Sequence, residues 1–154
     1  MTASSGRPEP LCTWREPVLD EWIDYNGHLS EPYYVLVLGH ATDAVMAHVG
    51  LGPEERERRG DSLFTVEAHI RYLDQVPPGV RLEVESRVIG ATGKLLRIWH
   101  ELRVDGTLRA TEEILGVHVD VASGRSAPFP DEVATRIAAA LVPPPPEAGA
   151  AIRA

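Results

Sequence analysis

Ser30-Glu31-Pro32-Tyr33-Tyr34-Val35-Leu36-Val37-Leu38-Gly39-His40-Ala41-Thr42-Asp43-Ala44-Val45-Met46-Ala47-His48-Val49-Gly50 is the stretch that decides how this chain folds. Ser30 stands where a helix N-cap belongs, and Pro32 falls in the first turn, where a missing N–H costs nothing. Gly50 and Gly52 stop the pattern at the far end. Between them Tyr33 to Val49 reads as a helix that is apolar nearly all round at its start. A helix with so little polar face must be wrapped by other structure.

The material for the wrapping follows directly. Leu63 to Gln75 sets Phe64, Val66, Ala68, Ile70 and Tyr72 against Thr65, Glu67, His69 and Arg71, the period of a half-buried strand. Val80 to Ile89, Lys94 to Val104 and Leu108 to Val121 supply three more strands. Asp105-Gly106 is a two-residue hairpin signal, and Gly90 to Gly93 suggests another turn. Upstream, Cys12 to Leu19 reads as a strand confined by Pro17 to an edge or a bulge. Downstream, Asp131 to Leu141 offers a short helix. One all-apolar helix and about five antiparallel strands predict an α+β domain whose curved sheet curls around the helix, the plan of the hotdog fold. Pro77-Pro78-Gly79 is short enough for a hairpin between the first two long strands, whereas hotdog sheets usually place those strands apart. The sequence leaves both orders open.

The 154 residues suit one domain, expected over 11–142, with a flexible lead-in over 1–10 and a Pro/Ala-rich disordered tail over 143–154. A net charge of -8 argues against nucleic acid or an anionic membrane as partner. The single cysteine, Cys12, allows no intrachain disulfide, and no run reaches the roughly 18 apolar residues of a membrane span. A cytoplasmic location is the expectation. No zinc-ligand spacing, phosphate loop or Gly-x-Ser-x-Gly elbow is present, so no metal and no Ser-His-Asp triad is expected.

The chemistry concentrates just ahead of the helix, in Asp24-Tyr25-Asn26-Gly27-His28-Leu29. A helix start offers unpaired N–H groups and the positive end of the peptide dipole. A carboxylate beside such a start can hydrolyse an activated acyl group: it attacks or activates water while the N–H groups hold the developing oxyanion. Asn-Gly favours positive φ, so Asn26 is expected to take that conformation, its amide closing the loop or touching Asp24. Gly27 allows close approach of a ligand.

The run Glu21-Trp22-Ile23-Asp24-Tyr25-Asn26-Gly27-His28-Leu29-Ser30-Glu31, with Tyr33-Tyr34 and Ala41-Thr42-Asp43-Ala44, resembles the acyl-CoA thioesterases of the 4-hydroxybenzoyl-CoA thioesterase type. It is most similar to their carnitine-catabolism branch, whose substrate is betainyl-CoA. Ser62 to Glu67, Arg71-Tyr72-Leu73, Ala110-Thr111-Glu112-Glu113 and His118-Val119-Asp120 extend the match over residues 14 to 121. The resemblance implies a homodimer or dimer of dimers that binds its acyl-CoA substrate at the subunit interface, coenzyme A being part of the substrate and not a cofactor. It implies Asp24 as nucleophile or general base and a helix-start N–H as oxyanion donor. Glu31 is the best-placed donor by position along the motif, with Leu29 and Ser30 as neighbours.

Other residues carry a weaker expectation beside a plainer one. His28 polarises the carbonyl, orients water, or holds the loop. Trp22, Tyr25 and Tyr33 are core or interface aromatics by default, yet aromatic faces suit a trimethylammonium group. Glu67 and His69 share a strand face, and Glu67 is a candidate second carboxylate reaching the site from a partner subunit. Glu112 and Glu113 are expected at the surface or in a dimer contact. Arg71, Arg81, Arg87, Lys94, Arg97 and Arg103 are the pool of cations for CoA phosphates. Two rivals stand beside hydrolysis: a hydratase or dehydratase acting on acyl thioesters, and a non-catalytic acyl-CoA-binding module.

Overall fold

A computed structural model of the chain describes residues 6–152; the outer ends of the expected lead-in and tail lie outside the described residues. Strand β1 (Cys12–Pro17) and a single 3₁₀ turn (Asp20–Trp22) lead into helix α1 (Glu31–His48) and a short helix α2 (Pro53–Arg59). Strands β2 (Asp61–Tyr72), β3 (Arg81–Ala91), β4 (Leu95–Val104), β5 (Thr107–Asp120) and β6 (Arg125–Ser126) follow, and α3 (Asp131–Ala140) closes the order. Helix α1 begins two residues before the sequence reading, with Pro32 inside its first turn. The charged run after Gly52 forms α2, with Glu54 and Glu55 at its start and three arginines at its end, the arrangement the helix dipole favours.

The sheet is antiparallel in the order β1-β3-β4-β5-β2, with β6 added to β5. β2 and β3 therefore lie apart, and Pro77-Pro78-Gly79 belongs to a crossover and not to a hairpin. The Asp105-Gly106 hairpin forms as expected, both residues at positive φ. β1 pairs only with β3, so Pro17 lies on an edge.

Helix α1 lies against this sheet and buries two apolar clusters. Val37, Leu38 and Ala41 meet Leu82, Val84, Leu102 and Ala110 near the helix start. Val45, Met46 and Val49 meet Val88, Ile98, Ile114 and the α3 residues Val133 and Ile137 near its end. Each fully buried Val or Leu contributes about 1.5–3 kcal/mol. Among the described residues no single helix is long and apolar enough to cross a membrane.

One pattern departs from the sequence reading. A bulge in β2 between Thr65 and Glu67 shifts the alternation by one residue. Leu63 and Thr65 before it, and Ala68 and Ile70 after it, turn toward α1. Phe64 and Val66, expected on the buried face, are exposed. Glu67 and His69 share the face turned away from α1, where they line a cavity of about 230 Å³ with Arg97 and Glu113.

Candidate active site at the start of the central helix

The loop ahead of α1 is a tight hairpin. Asp24 N–H donates to His28 C=O (3.0 Å), Gly27 N–H donates to Asp24 C=O (3.0 Å), and Ile23 bridges Leu29. Gly27 takes positive φ (79°) and Asn26 does not, because the left-handed residue of this turn falls one position later than expected. The Asn26 backbone N–H donates to Asp24 Oδ1 at 2.8 Å. That bond fixes one carboxylate oxygen, and Oδ2 has no hydrogen-bond partner among the described residues. Tyr25 stands 96% exposed at the hairpin tip. His28 is half-buried, and its Nδ1 is buried without a partner.

The same hairpin decides which N–H remains open. Leu29 N–H donates to Val76 C=O (2.9 Å), Ser30 N–H to Trp22 C=O (2.9 Å), and Tyr33 N–H to Ser30 C=O (3.1 Å). Pro32 has none to give. Glu31 N–H alone among residues 29–33 has no acceptor among the described residues, and it lies at the positive end of α1. Of the three donors weighed from sequence, two are already committed to the fold.

Trp22 is only 6% exposed, and Tyr33 stacks on it with ring centroids 5.4 Å apart and planes 13° apart. The pair forms a floor under the hairpin, so one indole face is already covered. Glu67 lies on the far side of the sheet, in the cavity it lines with His69, Arg97 and Glu113. Of the cations considered for CoA, four are engaged. Arg87 bonds Glu101, Glu85 and the Pro8 carbonyl, and Arg103 bonds Glu85. Arg97 bonds Glu113 at 2.6 Å, and Lys94 donates to Ser126. Arg71 and Arg81 are exposed, with no side-chain partner among the described residues.

Sequence reasoning misplaced one residue near this site. Glu112 is 3% exposed, in the layer of β5 that faces α1 between Ala110 and Ile114, and its Oε1 has no partner. Burial raises its carboxyl to about 7. Tyr72 lies within reach of the charges of both Glu112 and Glu31, and its ring meets that of Tyr34 edge-on at 5.1 Å. Tyr34 in turn senses the charge of Asp24. Glu113, the next residue, points the other way and pairs with Arg97. The period-2 rule requires that one of the two glutamates face inward, but only the register says which.

A curved sheet around one helix, with a carboxylate hairpin at the open helix start, defines an α+β hotdog domain. The chain belongs to the thioesterase-like superfamily, whose family model matches residues 18–137. It is 46% identical over 132 residues to a betainyl-CoA thioesterase of Pseudomonas aeruginosa PAO1, covering 84% of this chain and 82% of that protein. It is 43% identical over 150 residues to an L-carnitine dehydrogenase/betainyl-CoA thioesterase of Agrobacterium fabrum. That match covers 94% of this chain but only 31% of the relative. Among solved structures, a Staphylococcus aureus protein in complex with CoA superposes with a TM-score of 0.84 at 28% identity, covering 92% of this chain and 94% of that one.

Proposed function

We propose that the chain hydrolyses a short acyl-CoA, betainyl-CoA, to the free acid and CoA, with Asp24 and the Glu31 N–H as its chemical centre. The observation that carries this reading is the accounting of N–H groups at the helix start: the fold uses those of Leu29, Ser30 and Tyr33 and leaves that of Glu31 open beside the Asp24 hairpin. The likeness to a betainyl-CoA thioesterase over most of both chains supports the acyl group.

The thioester carbonyl oxygen accepts the Glu31 N–H, which stabilises the negative charge that develops there. Asp24 Oδ2 attacks the carbonyl carbon or takes a proton from an attacking water, while Asn26 holds Oδ1 and with it the carboxylate plane. The C–S bond breaks, and CoA leaves as thiolate and is then protonated; on the nucleophilic route a water then hydrolyses the mixed anhydride formed on Asp24, releasing the free acid and restoring the carboxylate. Gly27 lets the thioester approach the hairpin backbone, and the Trp22–Tyr33 stack keeps that backbone in place. His28 supports the loop from behind, its own carbonyl accepting the Asp24 N–H. Exposed Arg71 and Arg81 are the available cations for CoA phosphates.

A homodimer belongs to the same reading. β2 is a twelve-residue edge strand whose outer edge is unpaired among the described residues and which exposes Phe64 and Val66. Such an edge is a template for a second copy. The single cysteine supports a reducing, cytoplasmic setting.

The decisive experiment is thiol release from betainyl-CoA, acetyl-CoA and a benzoyl-type CoA by wild type and Asp24→Ala. Turnover of betainyl-CoA well above the other two, lost in the variant, is the expected result. A variant that keeps most of its kcat removes Asp24 from the mechanism. Binding of all three esters without turnover would favour the acyl-CoA-binding module.

A further inference from the structure

We propose that Glu112 is the counter-ion for the cationic head of the acyl group, seated in the groove between α1 and strands β2 and β5. The proposal rests on the betainyl-CoA reading above and assigns the residue that selects that acyl group.

The groove holds about 550 Å³, and apolar groups of α1 (Val35, Leu36 and Gly39) face Ala68 and Ile70 of β2 across it. Glu112 forms part of the wall, buried, with Oε1 unpartnered. Among the described residues no lysine or arginine lines the groove, and its other ionisable groups are Asp43 and His40. His40 is occupied by Glu16 at 2.7 Å. Beside Glu112 in the sheet stands His100 of β4, and it offers no positive charge. Its two ring nitrogens are used by Ser86 (2.7 Å) and Thr42 (2.9 Å), and burial lowers it to about 3. A buried carboxyl with no cation and no hydrogen-bond donor is costly to keep, and an exclusively apolar acyl group gives no reason to keep it.

A quaternary ammonium supplies that reason. It carries a full charge but no N–H, so it needs no hydrogen bond from Glu112, and it gives up less hydration than an N–H-bearing ammonium while still calling for a counter-charge. It also takes benefit from aromatic groups. Tyr72, two positions along β2 from Ile70, the register partner of Glu112, and its edge-on neighbour Tyr34 in the first turn of α1 supply these on the side of the groove toward the helix start. The aromatics nearest Asp24 in sequence do not serve: Trp22 is covered by Tyr33, and Tyr25 stands in solvent.

The test compares betainyl-CoA with its neutral carbon isostere, 3,3-dimethylbutanoyl-CoA, which replaces the nitrogen by carbon and changes little else. In wild type the ratio of kcat/KM for betainyl-CoA over the isostere is expected to be high, and Glu112→Gln to lower it about a hundredfold, the size expected when a buried charge loses its partner. The ratio in wild type should also fall as pH drops below about 7, where Glu112 takes up its proton. The charged and titratable groups around it are Glu31, Asp43 and His40 on α1, His100 on β4, and Tyr72 and Tyr34. An equal loss on both esters, with or without a change of oligomeric state, would assign Glu112 to packing and overturn the proposal. So would an unchanged ratio. If wild type turns over neither ester, the hydrolytic reading falls. Calorimetric titration with glycine betaine then still decides Glu112, through heat that is present in wild type and absent in Glu112→Gln or through its absence in both.

Discussion

The two ends of α1 are finished in opposite ways. At the C-terminal end most polar groups have partners, Asp61 Oδ1 and Arg56 Nε being buried exceptions among the described residues. Gly50 turns the chain at positive φ, Leu51 N–H reaches back to Met46 C=O at 2.8 Å, and Arg59 caps Gly50 C=O at 2.7 Å. The same guanidinium holds Asp61 at 3.0 Å and Glu132 at 2.6 Å, and Asp61 also accepts from His118 at 2.8 Å. At the N-terminal end Glu31 N–H, Asp24 Oδ2 and His28 Nδ1 are left open among the described residues. Both ends carry carboxylates and a histidine, so residue type does not distinguish them. What distinguishes them is that the C-terminal end ties its last carbonyls and most of its charged groups into the fold, whereas the N-terminal end leaves a helix-start N–H and a carboxylate oxygen uncommitted among the described residues.

This contrast is broken most severely at Asp24. Asp24→Ala is expected to keep the unfolding free energy from urea titration within about 0.5 kcal/mol of wild type and to lower kcat by a factor on the order of 10³ or more. A large loss of stability would make the residue structural instead. Next in size is Glu31→Pro, which deletes the one open N–H at a position where helices accept proline. It should cost about 10²–10³ in kcat with little change in KM, provided circular dichroism shows the helix intact. A milder Glu31→Gln keeps the N–H and should keep most of the rate; if it fails equally, the carboxylate and not the backbone is what matters.

The closed end should answer in stability and not in rate. Arg59→Ala leaves the buried Asp61 carboxylate with His118 as its one remaining partner and frees the Gly50 carbonyl, and should lower the unfolding free energy by about 2–3 kcal/mol. Thiol release per folded molecule at 20 °C should stay near wild type. A selective loss of kcat would mean the two ends are coupled.

The smallest effect is a slope. Glu112 holds its proton to about 7 in the folded chain against an ordinary 4.5, so its contribution is present below pH 4.5 and lost as pH climbs through 7. His100 is lowered to about 3 from 6.5, so its contribution is present above pH 6.5 and lost as pH falls toward 3. Between pH 4.5 and 6.5 the two slopes oppose each other and wild type should be nearly flat. Glu112→Gln leaves the histidine alone, and stability should then rise by about 1 kcal/mol per pH unit across that window. Urea midpoints at three pH values would show it, and a flat profile in the variant would contradict the burial of His100.

Local chemistry was legible in the sequence. The unbroken apolar stretch of α1, the Asp105-Gly106 hairpin, the edge position that Pro17 demands and the turn at Asn26-Gly27 each follow from a few adjacent residues. So does the placing of Asp24 at a helix start. These features rest on helix period, turn conformation and missing N–H groups, which act within a handful of positions. Long-range pairing settled the rest. The crossover between β2 and β3, the bulge that turns Phe64 and Val66 outward, and the inward rotation of Glu112 in place of Glu113 all depend on which strand neighbours which. The choice of Glu31 over Leu29 and Ser30 depends on carbonyls of Val76 and Trp22, brought there by the crossover and by the hairpin. A hydrogen bond is committed or left open only once the partner is in place. For that reason the sequence pointed to the site, while only the tertiary structure showed which of its groups stay free to act.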